Sequence, residues 1–138
     1  MLDKIIAFFF VLLLIMVMSI GGAMMVGMVG QWNAMQNQAQ FLAVSQGKYG
    51  GYTTQTDSHL DEFVNDLNLT TANLEVEVSA PNGPKPWGTP VWAKITYDFE
   101  FKIGNFIPVI TVPLHAEGRA VSTYLPGAYN MTYTFPSY

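Results

Sequence analysis

Ser58, His59 and Asp61 carry the three side-chain types of a hydrolytic triad, in which histidine takes the serine proton and a carboxylate orients the imidazole. Their spacing defeats that chemistry. They stand at the start of one short helix, where neighbouring side chains diverge instead of converging on a substrate. His115, Glu117 and Arg119 do share one strand face, and opposite Lys94, Asp98 and Lys102 they read as a lattice of cross-strand charge pairs. Two histidines and no cysteine leave no metal site of the zinc type and no disulfide. Asp61, Glu62 and Asp66 read as a solvated helix surface, since calcium loops need oxygen ligands on an irregular loop with a turn-making glycine. No catalytic residue, cofactor or metal is expected, and the chain is not read as an enzyme. Asn68 and Asn130 open Asn-X-Thr sequons, for which a helix end and a strand surface are the simpler readings. The net charge of −4, without a run of Lys or Arg, excludes nucleic acid as a partner.

The elements around these residues say more. From Ile5 to Gly30 no side chain is charged. A helix rises about 1.5 Å per residue, so about 20 residues cross a hydrocarbon core of about 30 Å. Fourteen Leu, Ile, Phe and Val residues lie between Ile5 and Val29. At roughly −0.3 to −0.6 kcal/mol each they make insertion favourable by about 4 to 8 kcal/mol. The run is longer than a signal-peptide core and only Lys4 precedes it as a basic residue, so it is expected to be retained, with its N-terminus at the cytoplasmic face.

The helical pattern does not stop at Gly30. Met28, Trp32, Met35, Ala39 and Leu42 recur at spacings of four and three, an apolar stripe backed by glutamine and asparagine. This extension, 31–47, is expected to end near Gly47, with Gly50 and Gly51 beyond it. A domain, 48–138, follows. Leu60, Phe63, Val64 and Leu67 predict a short helix capped by Asp57 or Ser58, with Asp61 and Glu62 in its first turn. The period then switches to two. Leu74–Val78, Val91–Ile103 and Val112–Ala120 alternate as strands, with Pro113 marking an edge or a bulge, and Tyr129–Phe135 reads as a fourth. Pro81–Pro90 is an exposed loop and Leu125-Pro126-Gly127 a type II turn. The expected fold is α+β: a long N-terminal helix, apolar first and amphipathic second, packed through Trp32, Met35, Ala39 and Leu42 on a small antiparallel sheet of three or four strands, with one short extra helix.

Within the apolar run, Ser19, Ala23 and Gly27 are spaced four apart, with Gly21, Gly22 and Gly30 nearby. Small residues at that spacing let helices approach closely, and each glycine costs about 1 kcal/mol against alanine in a helix interior. Helix–helix packing, or local unwinding, in an assembly is the expectation.

An apolar helix beginning almost at residue 1, an amphipathic extension and a small sheet resting on it resemble the type IV pilin superfamily. Ala93–Phe101 followed by Val109–Thr123 looks most like the TadE-like minor pilins of tight-adherence pili and the pilin-like proteins of Gram-positive bacteria. The resemblance implies a filament subunit stored in the membrane and then extruded by a pilus assembly machinery, alone or with other pilins. Ile5, Phe8, Phe9 and Leu12 would join the small residues in the filament core, and Tyr129, Tyr133 and Tyr138 are candidate lateral contacts. Pilins usually carry Glu at the fifth mature position, where this chain has Ile5. Asp3 is the nearby acid that could meet a neighbour's amine. The alternative is a single-pass, membrane-anchored binding domain that does not polymerise.

Overall fold

A computed structural model describes residues 1–105 and 107–138. The element order is helix α1 (Leu2–Tyr49), helix α2 (Thr54–Asp66), a 3-10 turn (Thr71–Asn73) and strands β1 (Leu74–Val78), β2 (Pro90–Phe101) and β3 (Ile110–Val121). The strands form one antiparallel sheet in the order β1-β2-β3, so the α+β reading holds. The chain divides into two compact units, Met1–Gln31 and Trp32–Tyr138, and α1 contributes to both.

The second unit is built on the C-terminal part of α1. Met35, Ala39, Leu42 and Ala43 are fully buried, as are Ala93 and Ile95 of β2. Burying each large apolar side chain is worth roughly 1.5–3 kcal/mol. The sheet's alternation follows the expected period, with Leu74 and Val76, Val91 to Tyr97, and Leu114 and Ala116 turned inward. Pro113 lies on the edge strand, opposite Asp98 in an unbroken register, so it marks an edge and not a bulge.

Helix α1 continues to Tyr49, two residues past the expected stop. Gly47 is interior to it and serves a close approach: an added Cβ would lie 2.8 Å from the Val121 carbonyl oxygen. Gly50, at φ +80°, supplies the left-handed residue that ends the helix.

Helix α2 starts earlier than its carboxylates suggest. Its cap is Thr53, whose hydroxyl accepts from the Thr56 amide at 3.2 Å, and the first-turn acid is Asp57, with Asp61 and Glu62 a turn later. The Thr53 hydroxyl is also part of a buried chain, 2.9 Å from Thr56, which is 2.7 Å from Ser45 of α1. Capping and helix–helix contact are therefore satisfied by the same group, which places the start there. At the other end Asn68, at φ +49°, closes a Schellman motif: its amide donates to Asn65 and the Leu69 amide to Val64.

The expected fourth strand is reduced to one bridge, Thr53 to Tyr133, and Asn130 lies outside any strand. The tail is nevertheless stitched down. Thr54 donates to the Thr132 carbonyl, Thr134 to Tyr52, and Val76 of β1 to Tyr138. The Ser137 amide and hydroxyl both donate to Asp57, at 3.1 and 2.6 Å.

Tyr52 is fully buried and donates to the same Asp57 at 2.8 Å. Burial first, then this bond and the nearby carboxylates, raise its hydroxyl far above the ordinary value of 10.0. An unfolded tyrosine releases its proton near pH 10 while the folded one keeps it. Above that pH the unfolded state binds fewer protons, so stability is full below about pH 10 and falls as pH rises, by up to about 1.4 kcal/mol per unit for this group. Urea titrations at about pH 9 and about pH 11 should show that loss, and Tyr52→Phe should remove this group's share of it. An unchanged slope in the variant would refute the assignment.

Candidate functional site

The first unit is a single stretch of helix α1. By length and composition α1 can cross a membrane, and none of its most apolar window is buried. Ile5, Phe8, Phe9 and Leu12 are each at least half exposed, with Phe8 and Phe9 edge to face at 6.1 Å. The Ser19 hydroxyl donates to the Ile15 carbonyl at 2.8 Å, a bond a serine in a helix makes when no other partner is present. A Cβ added at Gly21, Gly22, Gly27 or Gly30 would meet nothing within 4 Å. Ala23 is exposed beside them. Among the described residues no close neighbour accounts for these glycines, each of which costs helix propensity. Asp3 occupies the first turn, where its carboxylate favours the positive end of the helix dipole.

The joint of α1 with the sheet uses more than the apolar stripe. Met35, Ala39 and Leu42 are buried as expected, whereas Trp32 is 44% exposed and works through its indole N–H, which donates to the His115 carbonyl at 3.0 Å. One turn on, Gln36 donates to Glu117 at 2.7 Å, and Gln40 donates to Arg119 at 3.1 Å while accepting from the Arg119 amide at 3.3 Å. Four helix residues rise about 6 Å and two strand residues about 6.6 Å, so the two ladders stay in step over three rungs. The ladder occupies backbone groups of β3 that an edge strand leaves open to another chain. Gln46, fully buried, donates to the Trp92 carbonyl and accepts from the Ala80 amide, both at 3.2 Å.

These glutamines were legible only as the hydrophilic back of the helix. The signal that could have found them is the repeat of Trp32, Gln36 and Gln40 every fourth residue beside a strand predicted to lie on an edge. Gly118 completes the joint, since a Cβ there would overlap the backbone of Ala39.

The outer sheet face differs from the expected charge lattice. Its ion pair is Glu117 with Arg119 at 2.7 Å, two positions apart on one strand, and that bond lowers the Glu117 pKa and raises that of Arg119. Lys94 stands in register between Glu77 and Glu117, yet its ammonium lies 5.5 Å over the Trp92 ring. Asp98 faces Pro113, and Lys102 lies beyond β2. The triad letters are separately engaged: the Ser58 hydroxyl donates to Thr54, and His59 lies 3.4 Å from Glu62 and edge-on to Phe41.

Of the tail tyrosines, Tyr133 donates to the Tyr49 carbonyl at 2.7 Å, and the Asp61 carboxylate beside the Tyr138 hydroxyl raises its pKa. The Tyr133 hydroxyl is committed inside the domain. Tyr129 is partly exposed and stacks edge-on against Tyr49 beside the Lys48 ammonium. A second outward feature is the proline loop. Lys85 donates to Gly50 and accepts from the buried Ser122 hydroxyl, and Gly88, at φ +83°, donates to the Ser122 carbonyl. Between these anchors Trp87 is held 64% exposed, beside Pro84, Pro86, Tyr124, Leu125 and Pro126. Compared with protein-family models, with curated proteins and with solved structures, the chain matches none of them.

Proposed function

We propose that this chain is a structural subunit of an extracellular helical filament of the type IV pilin kind, held in a membrane before assembly. The observation that carries the reading is the division of labour along one helix. Its C-terminal part is the core of a sheet domain, and its N-terminal part carries a long series of exposed apolar side chains with glycines among them. Such a surface is stable only in lipid or against other apolar helices. Copies packed head to tail through it would form an open polymer, with the sheet domains outside. Its partners are then other copies of itself, the membrane, and the machinery that moves it from one to the other.

Electron microscopy of sheared cell-surface material tests the reading, with filaments built of this chain as the expected result. The double variant Gly22→Leu/Gly27→Leu should still insert in the membrane but lose filaments, because the added side chains block close helix approach. Filaments of undiminished number in that variant would overturn the packing argument. The second reading, an anchored binding domain, is favoured by the rigidly pinned, exposed Trp87 patch. Recovery of the chain only from detergent-extracted membranes would select it.

A further inference from the structure

We infer that Asn130 is the acceptor for an N-linked saccharide and that Asn68, which opens the other Asn-X-Thr sequence, is not. Both sequences set a carboxamide two residues ahead of a threonine hydroxyl, the pair that N-linked glycan transfer requires on a surface loop. The fold separates them. Asn68 has a structural reason to be asparagine: it ends α2 at φ +49°, a backbone that few residues other than glycine and asparagine adopt. The residue between its carboxamide and Thr70 is Leu69, which is buried and whose amide donates to the Val64 carbonyl at 3.0 Å. An enzyme meeting the folded domain would have to pull Leu69 out of the core to take hold of all three residues.

Asn130 has no comparable reason. Among the described residues Asn68 is the only one besides glycines at positive φ, so the backbone at position 130 would accept any side chain. Asn130 lies outside any strand, and it and Thr132 are exposed with Met131 half-buried between them. The segment is held on both sides. Tyr129 stacks edge-on against Tyr49 at 5.2 Å, and the Thr132 carbonyl accepts from the Thr54 amide at 3.1 Å. Thr132 thus meets the fold through its backbone, and its hydroxyl is left to the sequence motif. The donor class is a saccharide carried on a polyprenyl pyrophosphate. A bond forms between Asn130 Nδ2 and the anomeric carbon of the sugar, and the bond from that carbon to the phosphate oxygen breaks. The carboxamide gives up one proton and the lipid pyrophosphate leaves as the anion, so no oxidant or reductant is needed.

The inference rests on the part of the proposed function that places the sheet domain across the membrane, and it does not depend on polymerisation. Mass spectrometry of peptides from the full chain, purified in detergent from its own cells, gives the test. The peptide containing Asn130 should carry added sugar mass and the peptide containing Asn68 none. Thr132→Ala should lose that mass although Asn130 is intact, and Thr132→Ser should keep it, which separates glycan transfer from any other change at the carboxamide. A bare Asn130, sugar on Asn68, or sugar that persists in Thr132→Ala would each overturn the inference. Protease added from outside to cells stripped of their wall reads the placement separately. A domain cut from outside with Asn130 bare sinks the inference alone, whereas a protected domain with Asn130 bare sinks the placement with it.

Discussion

Gly118→Val is expected to cost the domain about 3 kcal/mol or more, the upper end of what overpacking does to a well-packed site. A side chain that merely crowds another side chain can rotate away, but here the first atom of the new side chain meets backbone. A Cβ at position 118 overlaps the Ala39 carbonyl of α1, and that carbonyl is fixed by its own helix. Relief requires α1 to lift off β3, which breaks the Gln36 and Gln40 rungs on either side and opens the core around Ala39 and Leu42. Domains are stable by roughly 5–15 kcal/mol in all, so the loss is a large share of the total. Thermal unfolding of the full chain in detergent should show a midpoint lowered by more than about 10 °C. Thr111→Ala, exposed on the same strand, is the matched control and should stay within about 0.5 kcal/mol of the parent. A Gly118→Val protein as stable as the control would mean that the helix does not press on this strand.

The second large effect lies in the other unit. The double variant Leu12→Arg/Val17→Arg should abolish membrane insertion. Each exchange replaces a contribution of about −0.5 kcal/mol with one near +3, so two of them remove about 7 kcal/mol, most or all of the estimated 4 to 8 kcal/mol that favours insertion. Either exchange alone should leave a mixed population. Alkaline extraction of membranes gives the direct measurement, with the double variant released and the parent retained. Both positions are about half exposed, so the fold of Trp32–Tyr138 should survive, as tryptophan fluorescence would report. Retention of the double variant in the extracted membranes would refute the assignment of this run as a span.

Helix α1, the strand faces and the turn at Gly127 could be read from the chain because each depends on a local period or on one residue's backbone preference. An apolar run without charges is helical and membrane-length whatever surrounds it. Leu74-Glu75-Val76-Glu77-Val78 and Val91–Tyr97 alternate because one face of a sheet is buried, and that alternation is written residue by residue. The left-handed residues Gly50 and Asn68 are likewise placed by their own chemistry.

What the sequence could not show depends on groups far apart in it that meet only when the chain folds. Asp57 and Ser58 were the natural caps for α2, yet Thr53 holds that place because its hydroxyl also reaches a chain that ends on Ser45. The tail alternates as a strand should, but its polar groups are taken by Tyr52, Asp57 and β1, leaving a single bridge. The charges on the outer sheet face suggested cross-strand pairs, and the shortest reach for Arg119 was its own strand neighbour, Glu117.

The sequence by itself determined that an apolar helix long enough for a membrane is joined to a small α+β domain without cysteine, since composition and periodicity suffice for both. Tertiary structure alone decided how that helix holds the domain. Trp32, Gln36 and Gln40 close the sheet edge, and Gly118 is small because α1 passes over it. The physical reason is that a hydrogen bond or a close contact between residues some 80 positions apart has no period. It exists only where α1 and β3 run side by side.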